Sequence, residues 1–306
     1  MEKRDFAALE NMCQFRFREA GSCFHVCTQE NLPVIFHGEQ EMKIAMNIVA
    51  FIAFMFPEIK IFTFEIMVNH FHLVVAGQVS RVESFAMALI KKLAFHPELK
   101  RSRDIILKMA PKLHPIDSLN NFRNVIAYTN RNGTVINPDE NPFSYRWGAN
   151  RYFFNNEAKL RYTQCGHIAT QEEKRVLFRS HRLDNVRDII VLDGYISPLC
   201  YCRVQEAESI FFNNRQYFYL ISKNIESQKE IAELIGESIF YTDYDLFNII
   251  ASVCRKDYGG RNSSELKPEE KLSIARNLHY EYNAGNKQIS RLLKIPVEAI
   301  SSMFPR

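Results

Sequence analysis

The stretch Asn69–Gly77 reads NHFHLVVAG. Its apolar, β-branched run has the texture of a buried strand, and it opens on two histidines one residue apart. Side chains alternate across a strand, so His70 and His72 share a face. Phe71, Leu73 and Val75 turn to the other face, towards a core. Two imidazoles on one face of a strand make a ready pair of metal ligands. Two structural histidines at a strand end are the competing reading, and the short motif alone does not separate them.

Working outward, KIFTFEIM (Lys60–Met67) alternates and is rich in Phe and Ile, which predicts a strand. Only Val68 and Asn69 separate it from HFHLVVA, a hairpin spacing. CFHVCTQ (Cys23–Gln29) predicts a strand further upstream. GEQEMKIAMNIVAFIAFMF predicts a helix that stops before Pro57. Ser80–Phe95 predicts a second helix with Ser80 as its cap, and KLHPI a short strand whose proline suits an edge. Asp117–Gly133 has an Asp cap, a helical stripe and a closing Gly. The order β-α-β-β-α-β-α predicts an α+β layer, with helices on one face of a small antiparallel sheet.

The chain has 306 residues, which favours two domains. Hydrophobic residues make up 46% and charged residues 24%, a globular balance. A net charge of +4 permits a nucleic-acid partner without demanding one. The seven cysteines have no matched C-x-x-C pairs and read as reduced thiols. The opening MEKRDFAALENM lacks a signal-peptide h-region, so a cytoplasmic location is the expectation. The most apolar run, Ile44–Phe56, is shorter than the roughly 20 residues of a membrane span.

Three segments are expected: residues 1–156, a polar connection over 157–204, and a helical region over 205–306. Its end, 268–304, predicts three helices with a short break between the last two, as in a helix-turn-helix. The last of them, PVEAISSMF, offers no Arg, Lys, Asn or Gln to read bases, so packing against a partner is an equal reading.

A second constellation lies in AYTNRN. Tyr128 and Asn132 are four residues apart on one face of a helix. Tyr128 falls outside the stripe of Leu119, Phe122 and Ile126, with Arg131 on the same polar side. An ordinary surface tyrosine and a tyrosine facing a cleft both fit that position.

Together, MVNHFHLVVAG and AYTNRNGTVINPDENPFSYRWGANRYF resemble the two signatures of the single-tyrosine HUH transposases. CFHVCTQENLPVIFHGEQE is similar to that family's first strand and following loop. The order and spacing fit over about residues 20 to 155, and the nearest branch is the REP-associated tyrosine transposases, some of which carry a C-terminal helix-turn-helix. The resemblance implies a ferredoxin-like sheet of the HUH endonuclease type. It also implies Tyr128 as nucleophile, with His70, His72 and Asn132 as ligands of Mg2+ or Mn2+. Val68 stands where the family usually has Pro, Gly133 stands where a Pro commonly follows the Asn, and CTQENLP lacks the family's glycine-bearing turn.

The implied activity is metal-dependent cleavage and joining of single-stranded DNA through a 5′-phosphotyrosine, on hairpin-bearing strands. Lys91, Lys92, Lys100, Arg101, Arg103, Lys108, Lys112 and Arg131 are candidate phosphate contacts. Tyr145, Trp147, Tyr152 and Phe153 are candidate stacking platforms for bases. Solvated charge and core aromatics are the equal alternative for those two groups. No membrane partner is expected, and a homodimer with a composite site is one arrangement found among relatives. The rival function is a non-catalytic nucleic-acid-binding regulator on the same fold. A zinc hydrolase would need a further ligand and a carboxylate, for which Glu65 is the neighbouring candidate.

Overall fold

The structure, a computed structural model, describes residues 21–29, 31–136, 143–181, 183, 186, 188–222, 241, 243–282 and 284–304. Two compact units divide the chain, 1–133 with 140–222, and 134–139 with 223–306.

The first unit is built on four strands, β1 (Cys23–Cys27), β2 (Lys60–Ile66), β3 (Phe71–Ala76) and β4 (Lys112–Ile116). They form one antiparallel sheet in the order β2-β3-β1-β4. Helix α1 (Glu39–Met55) lies between β1 and β2 in the chain, and α2 (Val79–Ala94) between β3 and β4. The fold is therefore α+β, as the periodicities predict. Pro115 sits in the edge strand, where its missing N–H costs no ladder bond. After the short α3 (Arg103–Ile106) and β4 comes α4 (Leu119–Ile136).

The sheet is covered on both faces. Phe64, Ile66, Phe71 and Leu73 meet Ala45 and Val49 of α1 and Leu89 and Leu93 of α2. The alternate residues Thr63 and Glu65 meet α4 instead: Thr63 Oγ1 donates to Asn130 Oδ1, and Gly133 N donates to Glu65 Oε2 at 2.5 Å. The expectation of helices on one face holds for α1 and α2, and α4 occupies the other.

Three local expectations shift. Helix α2 starts at Val79 after Gln78, so Ser80 is inside the first turn and is not the cap. Ser118, next to Asp117, caps α4 by accepting from Asn121 N at 3.1 Å. Gly133 does not end α4, which runs on to Ile136. A Cβ at Gly133 would overlap ring atoms of Tyr145, whose hydroxyl donates to Ile66 O at 2.6 Å. Glycine is there because an aromatic ring lies against the helix backbone.

The stretch expected as a connection is part of the first unit, which extends to Ser222. It carries α5 (Asn156–Cys165), α6 (Gln171–Phe178) and a small sheet of β5 (His167–Ile168), β6 (Ile190–Leu192) and β7 (Tyr195–Ile196). Ile196 N donates to Asn47 Oδ1 of α1 at 2.8 Å, and Arg203 N to Ile61 O of β2 at 2.7 Å. Residues 147–149 line the outer edge of β2 through Ile66 N to Trp147 O and Ala149 N to Phe64 O. Helices α7 (Val204–Ser209) and α8 (Asn214–Ile221) complete the unit.

The second unit is helical among its described residues: α9 (Asp243–Asp257), α10 (Pro268–Tyr280), α11 (Asn286–Leu293) and α12 (Val297–Met303). Leu246, Ile250, Leu278, Ile289, Leu293 and Ile300 form its core. The three predicted terminal helices are present, and Lys294 takes the left-handed conformation that turns α11 into α12. Among the described residues no helix is long and apolar enough to cross a membrane.

Candidate active site

Strand register decides what shares a face with the two histidines. Residues directly opposite each other in an antiparallel pair point the same way. Glu65 pairs with His72, His72 with Cys27, and Cys27 with Lys112, giving one transverse row. Thr63, Val74, His25 and His114 form the next row. The face beneath α4 thus carries four histidines, a carboxyl and a lysine.

The rings converge. His70 and His72 have centroids 4.8 Å apart at 82°, and His25 stacks on His72 at 5.4 Å and 16°. Tyr128 stands edge-on over the row, its ring centroid 6.3 Å from both His72 and His25. His114 lies 6.2 Å from His25. Tyr128 is 4% exposed and His72 1%, so this is a buried cluster. Exposure rises at the β4 edge, where His114 is half-buried and Lys112 exposed.

A hydrogen bond to Asn69 sets the tautomer of His70. Asn69 Nδ2 donates to Leu32 O at 2.8 Å, which turns Asn69 Oδ1 towards His70 Nδ1, 2.7 Å away. That oxygen only accepts, so the His70 proton sits on Nδ1. His72 Nδ1 lies 3.3 Å from His25 Nε2.

Asn132 is one helical turn beyond Tyr128 and is buried, and its Nδ2 has no hydrogen-bond partner among the described residues. Glu65 is fully buried; one oxygen accepts from Gly133 N, while Oε1 has no partner among the described residues. Burial pushes its carboxyl well above the usual range, against the opposing bond from Gly133.

Two imidazoles and an amide oxygen would suit a divalent ion with open positions, and Glu65 Oε1, an acceptor with no partner among the described residues, would fit beside it. Among the described residues no group of three or more His, Cys, Asp and Glu side chains is set to hold a metal. Of the three expected ligands, His70 and His72 lie side by side on the sheet face, and Asn132 is on α4, one turn beyond Tyr128.

The expected DNA contacts fare unevenly. Lys91 and Lys92 end α2, the helix on the opposite face. Lys92 Nζ lies 4.6 Å from the Phe51 ring centroid. Arg101 pairs with Glu41 at 2.7 Å, and Arg103 Nε donates to Ala94 O at 3.1 Å. Lys100 and Lys108 are exposed, and Arg131 is half-buried. Tyr145, Tyr152 and Phe153 are core residues, not open stacking faces. Trp147 is half-buried under the Arg146 guanidinium, 5.0 Å from its ring centroid. On α12, Glu298, Ala299, Ser301 and Ser302 are exposed.

Sequence reasoning missed His25 and His114 as members of the cluster. His25 alternates within its strand, but only the pairing of β1 with β3 and β4 brings both histidines to His72. Comparison with known proteins found no matching family model, no similar curated protein and no similar solved structure.

Proposed function

We propose that this chain is a metal-dependent endonuclease and strand transferase for single-stranded, hairpin-bearing DNA, of the single-tyrosine HUH kind. The observation that carries the reading is Tyr128 standing edge-on over His72, with His70 on the same face. The β-α-β-β-α-β order with strands β2-β3-β1-β4, a ferredoxin-like topology, supports it.

His70, His72 and Asn132 would hold Mg2+ or Mn2+. When bound, such an ion supplies charge that polarises the scissile phosphate. Tyr128 provides the nucleophile: its oxygen bonds to phosphorus as the bond from phosphorus to the 3′-oxygen breaks. The phenol loses its proton and the departing 3′-oxygen gains one, leaving a 3′-OH and a 5′-phosphotyrosine. The reverse attack by a 3′-OH reseals a strand. Covalent catalysis divides one difficult step into two easier ones. Lys112, exposed in the His72 row, is placed to meet an approaching phosphate.

One observation favours the rival, a nucleic-acid-binding regulator without catalysis: the tyrosine and histidines are almost inaccessible to solvent. Labelled hairpin strands incubated with the protein and Mn2+ decide between them. The nuclease reading expects cleavage that is lost with chelator and in His70→Ala and His72→Ala. Binding without cleavage across strands from the neighbouring genomic sequence favours the regulator.

A further inference from the structure

The tyrosine helix is held by a buried polar network that nuclease chemistry does not itself require. Asn130 lies midway between Tyr128 and Asn132 in the chain. Its Oδ1 accepts from Thr63 Oγ1 of β2, and its Nδ2 donates to Tyr217 Oη of α8 at 2.7 Å. The Tyr217 hydroxyl donates in turn to Asn150 Oδ1, and Asn150 Nδ2 donates to Asn130 O at 2.9 Å. The ring of bonds closes on the residue where it began. All four side chains are buried, and the Tyr217 ring is stacked on Phe153 at 5.3 Å and 19°.

Seven residues earlier on α4, Arg123 Nε donates to Ile210 O, and its guanidinium lies 5.2 Å from the Phe212 ring centroid. Seven residues are about two helical turns, so Arg123 and Asn130 lie on one side of the helix. The segment 210–217 therefore grips α4 at two points along one side. Apolar packing alone tolerates sliding and repacking, whereas a closed set of buried hydrogen bonds fixes one register. A slip of one residue would turn Tyr128 by about 100° away from the histidine row.

We infer that Tyr217 is a positioning residue. Through Asn130 it sets the rotation of α4 that places Tyr128 and Asn132 over the histidines of the same chain. The inference rests on the nuclease reading and deepens it. The site is built in cis, and α8, far beyond the signature segments, belongs to the catalytic machinery as its support.

Two experiments test this. In the first, Tyr128→Phe protein is mixed with His72→Ala protein and given hairpin DNA and Mn2+. A cis site yields no covalent protein–DNA product from the mixture. A product restored by mixing means that the helix serves a partner chain and overturns the inference. In the second, Tyr217→Phe, which keeps the ring, is compared with wild type at saturating DNA. The rate of covalent product formation is expected to fall at least about tenfold, an effect of about 1.4 kcal/mol or more on the barrier. KM is expected to stay within about twofold, which separates misplacement of Tyr128 from weakened binding. Asn150→Ser opens the same ring without touching the Tyr217 stack and serves where Tyr217→Phe does not fold. A folded variant that keeps the wild-type rate overturns the inference. Amide exchange over residues 125–133 reads the same grip without catalysis. It should quicken in Tyr217→Phe while exchange in α1 does not change, and unchanged exchange over 125–133 overturns the inference. Absence of any covalent product with the wild-type protein defeats the nuclease reading alone.

Discussion

Substituting Gly133 by alanine separates two reasons for a glycine beside Asn132. If glycine served to loosen or end the helix, alanine would be neutral or stabilising, because Gly within a helix costs about 1 kcal/mol relative to Ala. In the structure the helix continues, and the added Cβ would overlap the Tyr145 ring. That ring cannot retreat easily: it is buried, and its hydroxyl is bonded to Ile66 O at 2.6 Å. Overpacking of this kind costs about 1–3 kcal/mol. Set against the helical gain of about 1 kcal/mol, Gly133→Ala should destabilise by about 0–2 kcal/mol. The background decides the sign. In Tyr145→Ala the obstruction is gone, and Gly133→Ala should then stabilise by about 1 kcal/mol. The coupling between the two sites is thus about 1–3 kcal/mol. Urea unfolding followed by fluorescence of Trp147, the single tryptophan of the chain, reports on this unit. Equal stabilisation by Gly133→Ala in both backgrounds would refute the close-approach explanation.

Glu65→Gln should alter the pH profile of stability. Burial raises the folded pKa of Glu65 above its unfolded value, so the native chain binds this proton more tightly. Its stabilising effect is full below the unfolded pKa and is lost as pH rises through the folded one. In chelator, Glu65→Gln should therefore match wild type in acid and exceed it near neutral pH; parallel unfolding profiles would contradict this. Asn69→Ala removes the acceptor that orients His70 and should weaken Mn2+ binding by about 10–100-fold in calorimetry, with unchanged affinity as the contrary result. Lys112→Glu should weaken single-strand binding and lessen the slope of its salt dependence by about 0.7 for each phosphate no longer neutralised, whereas Lys91→Glu, on the far layer, should not. Equal effects of the two substitutions in anisotropy titrations would contradict that placement.

Strands β1, β2 and β3 are legible in the sequence as short runs rich in apolar and aromatic residues, which the structure buries on both faces, and the edge position of β4 because proline cannot serve a central ladder. The terminal helices are legible from their periodicity and the tight break at Lys294. Other features depend on partners distant in the chain. Tyr128 lies off the main apolar stripe of α4, yet it is buried because it stands over His72 and His25, which strand pairing brings beneath the helix. Gly133 has the look of a terminator because nothing local announces that Tyr145, twelve residues on, returns to it. His25 and His114 join the site only through strand register, which no local pattern states.

The central claim is that Tyr128 forms a covalent bond to DNA at a site organised by His70 and His72. The most direct test incubates wild-type and Tyr128→Phe proteins with end-labelled hairpin strands in Mn2+, then resolves the products on a denaturing gel. Wild type should give a protein-linked band that chelator and Tyr128→Phe each abolish, with the nucleotide mapped to the Tyr128 peptide. A band that persists in Tyr128→Phe, or wild-type binding with no covalent product, would contradict it.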